Sequence, residues 1–238
     1  MKKTVSEFRE MLKTVPPLLL TLTVLAVVGM NLLANKSLVN LDWLALDAGF
    51  LLSWLAFLTM DILTHCYGPR AATLFSVFAL VLNLLMAGIF FLASRIPGVW
   101  GESFVEGSEQ IINTALDNTF GGTWFIIFGS SVAFVTSAFV NNFLNYGIGK
   151  LLKAQDGFGQ FALRSYVSTF IGQFVDNLVF ALLVSRVFFG WTMLQCLTCA
   201  VTGAIAELAF EVVFSPLGFR ISKRIKARQV ILSEGEKA

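Results

Sequence analysis

The chain has 238 residues, of which 56% are hydrophobic and only 13% are charged, and its mean hydropathy is +0.77. A soluble domain carries about a quarter charged residues, so the composition argues against an ordinary soluble protein and favours an integral membrane bundle. The formal net charge is only +2, and nucleic acid is not expected as a partner.

Six apolar segments predict six transmembrane helices, because a span needs about 20 mostly apolar residues to cross ~30 Å of hydrocarbon. In chain order they are Pro16–Leu33, Leu46–Cys66, Ala71–Ala93, Gly122–Ile148, Ser165–Val184 and Trp191–Phe214. The runs are continuous and lack strand-like alternation, which favours helices over a barrel. Pro16 and Pro17 suit the start of the first helix, while Pro216 and Gly218 suit the end of the last one.

The predicted fold class is therefore all-α, an integral membrane bundle of six transmembrane helices with both termini in the cytoplasm. This orientation leaves only Lys36, Arg95 and Arg186 of the 17 basic residues outside, as the positive-inside rule expects. The predicted parts are a cytoplasmic N-terminal segment (1-15), a six-helix transmembrane domain (16-218) and a basic cytoplasmic tail (219-238). No cleavable signal is expected, because the first apolar run lacks a small-residue cleavage site. The Ser94–Gly121 connection is then external, and a solvated loop with a short surface helix is preferred there over a substrate lid.

The fifth span carries the densest polar face. Ser165, Thr169, Gly172 and Asp176 are separated by helical spacings and share one stripe, bordered by Gln173 and Asn177. A carboxylate at the centre of a span costs at least ~2.5–3.5 kcal/mol. Helix packing explains the serines and Gly172, but three adjacent polar groups exceed what packing needs. A facing stripe on the fourth span includes Phe134 and Asn141.

Two further spans each carry two ionisable residues that are four positions apart. Asp61 and His65 are neighbours on one face of the second span and could pair with each other. On the sixth span, Glu207 favours a function or a buried partner. Glu211 lies four residues later and is either a functional group or one half of an ion pair with Arg220 or Arg164.

Cys196-x-x-Cys199 is read as helix packing in preference to a redox or metal pair. No metal site is expected, because a single histidine and scattered carboxylates give no recognised ligand spacing. No other cofactor is expected either.

Four stretches together resemble the queuosine-precursor transporter family, also called vitamin-uptake-transporter-like. They are D-I-L-T-H-C-Y-G-P-R-A-A (Asp61–Ala72), S-S-V-A-F-V-T-S-A-F-V-N-N (Ser130–Asn142), R-S-Y-V-S-T-F-I-G-Q-F-V-D-N-L-V-F (Arg164–Phe180) and F-E-V-V-F-S-P-L-G-F-R (Phe210–Arg220). The resemblance implies six transmembrane helices and uptake of 7-deazaguanines such as 7-cyano-7-deazaguanine. It also implies an architecture related to the substrate-binding subunits of energy-coupling-factor vitamin importers.

These expectations combine into a central pocket between spans two, four, five and six. An acidic side chain can accept both N–H donors of a base edge, and an amide can supply the opposite donor. The predicted substrate-binding residues are Asp176, Gln173, Asn177, Asn141, Glu207, Glu211, Asp61 and Phe134, with His65, Arg70 and Arg164 as gate or support. Asp61 is either a pocket group or a support for the cytoplasmic gate.

The expected partners are a small-molecule 7-deazaguanine and the lipid bilayer of the inner (cytoplasmic) membrane, which the chain crosses several times; a homo-oligomer stays open. The favoured hypothesis is a secondary carrier. The alternative is a substrate-binding subunit that needs a separate ATPase module, since the chain lacks a G-x-x-x-x-G-K-[ST] sequence. An enzyme is not expected, because the serines lack a matched base and there is no H-E-x-x-H pair.

Overall fold

The computed structural model describes residues 12–100, 107, 109–121, 124–152 and 157–235, with side chains as far as 229. The helices and strands are α1 (Pro17–Leu33), β1 (Ser37–Asn40), β2 (Ala45–Asp47), α2 (Phe50–Tyr67), α3 (Pro69–Ala93), α4 (Glu109–Gly121), α5 (Trp124–Leu151), α6 (Phe158–Phe180), a π-helical turn (Ala181–Ser185), α7 (Arg186–Phe188) and α8 (Met193–Gly235).

Long apolar helices dominate the described part of the chain. Five helical stretches, which contain α2, α3, α5, α6 and α8, are long and apolar enough to cross a membrane, and α1 is a shorter apolar helix of 17 residues. The prediction of an all-α membrane bundle is confirmed, and each predicted span overlaps one of these six helices.

The second predicted span begins too early. Leu46 belongs to β2, which pairs antiparallel with β1 in a short hairpin, and α2 begins only at Phe50. The Asp47 carboxylate accepts the N–H of Gly49 at 2.7 Å and so caps the turn from strand to helix. We call this side of the bundle the hairpin end.

The opposite side carries the sharp connection between α2 and α3, and we call it the Gly68 end. Gly68 has φ 85°, a backbone conformation that favours glycine, and Pro69 then opens α3 with its φ already fixed. In the orientation expected from the basic residues, the Gly68 end faces the cytoplasm and the hairpin end faces outside.

The last helix does not end at Pro216, so that part of the prediction is wrong. Proline lacks the N–H that would bond the carbonyl of Val212, but the Ser215 hydroxyl donates to this carbonyl at 3.1 Å. Membrane helices tolerate proline where a nearby hydroxyl satisfies the released carbonyl in this way. The helix therefore continues to Gly235.

The expected surface helix in the Ser94–Gly121 connection is present as α4, most of whose side chains are exposed. Trp100 holds it in place, because its indole N–H donates to the Asp117 carboxylate at 3.0 Å and its ring stacks on Phe120. Residues 101–106 and 108 of this connection lie outside the described residues.

Candidate functional site

The polar side chains inside the bundle form two separate groups. The hairpin cluster lies toward the hairpin end and consists of Asp47, Ser53, Asp176, Asn177 and Glu207. The Ser165 cluster lies toward the Gly68 end and consists of Asp61, Asn141, Ser165, Thr169 and Glu211. Sequence reasoning predicted one central pocket, whereas the structure divides its acidic residues between these two clusters.

Glu207 is the centre of the hairpin cluster. It is fully buried, and its two carboxylate oxygens accept from the Ser53 hydroxyl on α2 and, at 3.4 Å, from the Asn177 amide on α6. Asp176, which directly precedes Asn177 on α6, accepts from the Ser137 hydroxyl of α5 at 2.7 Å. Two carboxylates and an amide from α6 and α8 thus come together with serine hydroxyls from α2 and α5.

A small cavity separates these groups from α1 and the hairpin. It is lined by Met30, Asn31, Ala34, Asp47, Gly49, Phe50, Ser53, Ser130, Asp176, Asn177, Phe180 and Glu207, and its volume is about 20 Å³. This volume holds about one water molecule. On the wall opposite Asp176, the Ser130 hydroxyl donates to the Asn31 carbonyl oxygen and joins α5 to α1.

Asp47 adds a third carboxyl group to the cavity wall from the hairpin. Burial raises its pKa to about 6, and the hydrogen bond from the Gly49 N–H only partly offsets this effect. The carboxylate of Asp47 therefore takes up a proton in a pH range where exposed aspartates stay ionised.

The Ser165 cluster is more tightly connected. The Asp61 carboxylate accepts from the Asn141 amide at 2.8 Å, from the Ser165 hydroxyl at 2.5 Å and from the Thr169 hydroxyl at 3.2 Å. Glu211 contacts the same Ser165 hydroxyl and lies within hydrogen-bond reach of Asp61. Asp61 and Glu211 are both fully buried.

Two expected pairings are absent from the described residues. Asp61 takes its partners from α5, α6 and α8 and not from His65, whose ring packs edge-on against Phe161. Glu211 forms no ion pair with Arg164, because Nε and Nη2 of that guanidinium have no hydrogen-bond partner. The expectation of an interfacial ion pair for Glu211 is wrong, since its carboxylate faces Ser165 in the bundle interior.

The remaining predicted residues lie around the clusters. Gln173 is fully buried, and neither atom of its amide has a hydrogen-bond partner among the described residues. Phe134 packs in an apolar cluster with Phe57 and Met60 and does not line the cavity. Arg70 lies exposed in the first turn of α3.

A second, larger cavity of about 260 Å³ opens at the Gly68 end, and we call it the vestibule. Its lining includes Thr64, His65, Asn145, Lys150, Gln160, Arg164 and Lys226. Two of these, His65 and Arg164, were predicted as gate or support residues. The vestibule follows directly on the Ser165 cluster, because Arg164 precedes Ser165 and Thr64 lies three residues after Asp61.

Sequence reasoning missed Asn31, Asp47 and Ser53 as residues of the cavity. Asn31 had a usable signal, because an amide inside an apolar run needs a partner within the bundle. Asp47 had a weaker one, an acidic residue two positions before a glycine. Ser53 had none, since a single serine in an apolar helix usually serves helix packing.

Residues 47–221 match the model of the family described as "Putative vitamin uptake transporter". The chain belongs to this family. No curated protein and no solved structure matches the chain. The matched range runs from Asp47 to the residues just beyond Pro216 in α8, so the vitamin uptake transporter family covers both polar clusters and the lining of the vestibule except Lys226. The protein is accordingly a multi-pass membrane transporter with a small-molecule substrate.

Proposed function

We propose that this transporter imports queuosine precursors, 7-cyano-7-deazaguanine and related 7-deazaguanines, across the inner membrane as a secondary carrier. The hairpin cluster is the observation that carries the proposal. A deazaguanine presents a ring N–H beside an exocyclic amine, with a carbonyl acceptor on the same edge. The cluster offers carboxylates for the two donors and an amide for the carbonyl.

In this proposal Asp176 accepts the paired N–H donors of the base. Its Oδ1 is already held by Ser137, which fixes the direction of the carboxylate, and the side chain lines the cavity. Acidic side chains accept from exocyclic base amines in the same manner in other recognition sites. Asn177, whose contact with Glu207 is long at 3.4 Å, turns its amide to the carbonyl of the base.

Because the cavity is small, the helices around it must move before a substrate can bind. A volume of about 20 Å³ is far too small for a bicyclic base, so α1 and the hairpin must separate from α6 and α8 to admit it. The hydrogen bond between Ser130 and Asn31 is one that this opening breaks. The fully buried amide of Gln173 lies about one turn of α6 before Asn177 and has no hydrogen-bond partner among the residues that the structure describes; in this proposal it gains one when the helices move to admit the base.

Specificity follows from the cost of leaving these groups unpaired. A buried polar group without a partner costs about 1–3 kcal/mol, so a ligand that lacks the guanine-type edge binds about 5- to 150-fold more weakly for each group left unpaired. Direct binding measurements on purified protein with deazaguanines, guanine and vitamins measure this ratio. A vitamin that binds tightly while every deazaguanine fails would refute the proposed substrate.

The decisive experiment uses a strain whose growth or tRNA modification depends on imported precursor. Asp176→Asn and Asp176→Ala abolish uptake in this strain at normal membrane levels, while Asp42→Asn, a change at an exposed position of the hairpin loop, leaves it intact. Normal uptake by both Asp176 variants would show that the Asp176 carboxylate is not needed to bind the base.

A second candidate function rests on the family match, whose description names vitamin uptake. In that case the chain is a substrate-binding subunit of an energy-coupling-factor-type importer, and ATP hydrolysis comes from a separate module, since the sequence carries no phosphate-binding loop of the G-x-x-x-x-G-K-[ST] type. Uptake into liposomes by the purified chain alone excludes this candidate. Uptake that appears only when an ATPase module is added supports it.

A further inference from the structure

We propose that Asp61 and Glu211 form a proton-binding pair that couples substrate import to the proton gradient. The coupling half of this inference rests on the proposed import function, whereas proton binding by the pair stands without it. The pair is distinct from the hairpin cluster, where we propose that the substrate binds.

The number of hydrogen atoms available to Asp61 and Glu211 indicates that the two carboxyl groups share a bound proton. The Ser165 hydroxyl has one hydrogen to donate, yet its oxygen lies within hydrogen-bond distance of a carboxylate oxygen of Asp61 and one of Glu211. The two carboxyl groups also lie within hydrogen-bond reach of each other. Two ionised carboxylates would face each other without enough donors, so one of them must carry a proton.

No basic side chain forms a direct ion pair with the two carboxyl groups among the described residues. Arg164 on α6 is close enough to attract Asp61 electrostatically, but Nε and Nη2 of its guanidinium have no hydrogen-bond partner there. The other described acidic, basic and imidazole side chains on the packed helices are Asp176 on α6, His65 on α2, Arg70 on α3, Lys150 on α5, and Glu207, Arg220, Lys223, Arg224, Lys226 and Arg228 on α8. Glu207 is itself acidic and adds to the negative charge. Burying an uncompensated carboxylate is costly, and protonation removes that cost.

Two further buried atoms point to a missing hydrogen. In the part of the chain that the structure describes, Oε2 of Glu211 and Oδ1 of Asn141 have no hydrogen-bond partner, and both residues are fully buried. Oε2 is an acceptor without a donor as long as Glu211 is ionised. A proton on the Glu211 carboxyl turns it into a donor, and the Asn141 amide, already bonded to Asp61, supplies an unused acceptor in the same cluster.

The vestibule gives protons a path to the pair. Its walls include Thr64 and Arg164, which lie next to Asp61 and Ser165 along their helices, and a cavity of about 260 Å³ holds several water molecules. Binding forms one O–H bond on a carboxylate oxygen and converts hydronium to water; release reverses this step. No other reactant is needed.

The two clusters share the same helices, which explains how they would be coupled. Glu207 and Glu211 are four residues apart on α8, and Asp176 and Thr169 are seven apart on α6. A movement of α6 against α8 that opens the hairpin cluster therefore also changes the distance between Asp61 and Glu211. Protonation of the pair and occupancy of the substrate site then favour the same arrangement.

The first test needs no substrate. Infrared spectra of the purified protein at neutral pH are expected to show the carbonyl band of a protonated carboxyl group, with the deuterium shift of an exchangeable proton. The band loses the contribution of the pair in Glu211→Gln and in Asp61→Asn, whereas Glu109→Gln, an exposed change on α4, leaves the spectrum unchanged. Glu207→Gln identifies the contribution of the hairpin cluster. A spectrum that is identical in wild type, Glu211→Gln and Asp61→Asn would overturn the proton site.

The second test measures coupling in proteoliposomes with labelled 7-cyano-7-deazaguanine. An inward gradient of one pH unit supports about tenfold accumulation at one proton per substrate, since one pKa unit corresponds to 1.36 kcal/mol. Glu211→Gln is expected to lower this accumulation ratio to about one and to reduce exchange of external for internal substrate much less. Accumulation driven by a sodium gradient at equal pH would overturn the coupling role.

The two tests separate the inference from the proposed function. If wild-type protein moves no deazaguanine but shows the pair-dependent infrared band, the proposed function fails and the proton site remains. If it accumulates deazaguanine independently of pH and shows no such band, the import function stands and this inference fails. Size-exclusion profiles of each variant, matched to wild type, exclude misfolding as the cause of a loss.

Discussion

The hairpin cluster and the Ser165 cluster use the same residue types on the same helices, but they differ in how far their polar groups are satisfied. In the hairpin cluster, Asp176 is only half-buried and the bond from Asn177 to Glu207 is long at 3.4 Å. In the Ser165 cluster, Asp61 has three donors and no exposed surface. Polar groups that border a cavity can exchange a long hydrogen bond for one to a ligand. In the Ser165 cluster, Oε2 of Glu211 and Oδ1 of Asn141 lack a partner among the described residues, and these buried atoms can accommodate little more than a proton.

Substrate affinity provides the largest expected contrast between the clusters. Glu207→Gln should weaken binding of 7-cyano-7-deazaguanine by about 30- to 150-fold, because a lost charged hydrogen bond costs about 2–3 kcal/mol. Glu211→Gln makes the same substitution one turn later on α8, outside the proposed substrate site, and should weaken binding only a few-fold. Isothermal titration of both purified variants measures the two losses side by side. Equal losses would mean that the clusters form a single substrate site.

Removal of the bridging hydroxyl should affect stability more than any other single change in the Ser165 cluster. Ser165→Ala leaves Asp61 and Glu211 without their common donor, and we expect the free energy of unfolding to fall by about 2 kcal/mol. Thr136→Ala is the matched control, because the Thr136 hydroxyl is exposed and bonds only its own helix. Thermal unfolding in detergent compares the variants. A Ser165→Ala protein as stable as Thr136→Ala would show that the carboxyl pair does not depend on this bridge.

A packing change can disturb the hairpin cluster without removing a polar group. A Cβ at Gly203 would lie 2.6 Å from Nδ2 of Asn177, so Gly203→Ala must displace the amide at a cost of about 1–2 kcal/mol. We expect about a tenfold loss of substrate affinity with little change in gradient coupling. Gly159→Ala is the control, because nothing lies within 4 Å of its added Cβ and alanine favours helix. Unchanged affinity in Gly203→Ala would show that Asn177 does not contact the substrate.

Apolar runs and helical spacing allow the spans and several site residues to be predicted from the sequence. The membrane helices follow from continuous hydrophobicity, and Asp176 and Glu207 could be chosen because carboxylates inside a span need a reason. The division into two clusters could not be predicted. Glu207 and Glu211 share a helix face, but four residues correspond to about 6 Å along the axis, and only the tertiary packing decides which partner each one meets.

Local chemistry explains the two boundaries that sequence reasoning placed incorrectly. Leu46 is apolar and continues the hydrophobic run, so a three-residue strand is hidden within it. Pro216 is normally a helix-ending signal, and only the bond from Ser215 to the Val212 carbonyl lets α8 pass it. Both errors come from contacts that hydrophobic periodicity does not record.

The smallest expected effect concerns Asp47, the one carboxyl group of the hairpin cluster that lies on the hairpin. Burial raises the pKa of Asp47 in the folded protein to about 6, whereas the pKa of an aspartate in the unfolded chain is near 4. Between pH 4 and pH 6 the folded protein therefore binds more protons than the unfolded chain. Stability contributed by this group is therefore present at low pH and is lost as pH rises, by about 1 kcal/mol between pH 5 and 7. Asp47→Asn keeps an acceptor for the Gly49 N–H and should remove this slope, whereas Asp42→Asn at the exposed loop should not. Thermal unfolding measured across this pH range decides the point. A slope that persists in Asp47→Asn would assign the pH dependence to groups deeper in the bundle and weaken the separation of the hairpin cluster from the Ser165 cluster.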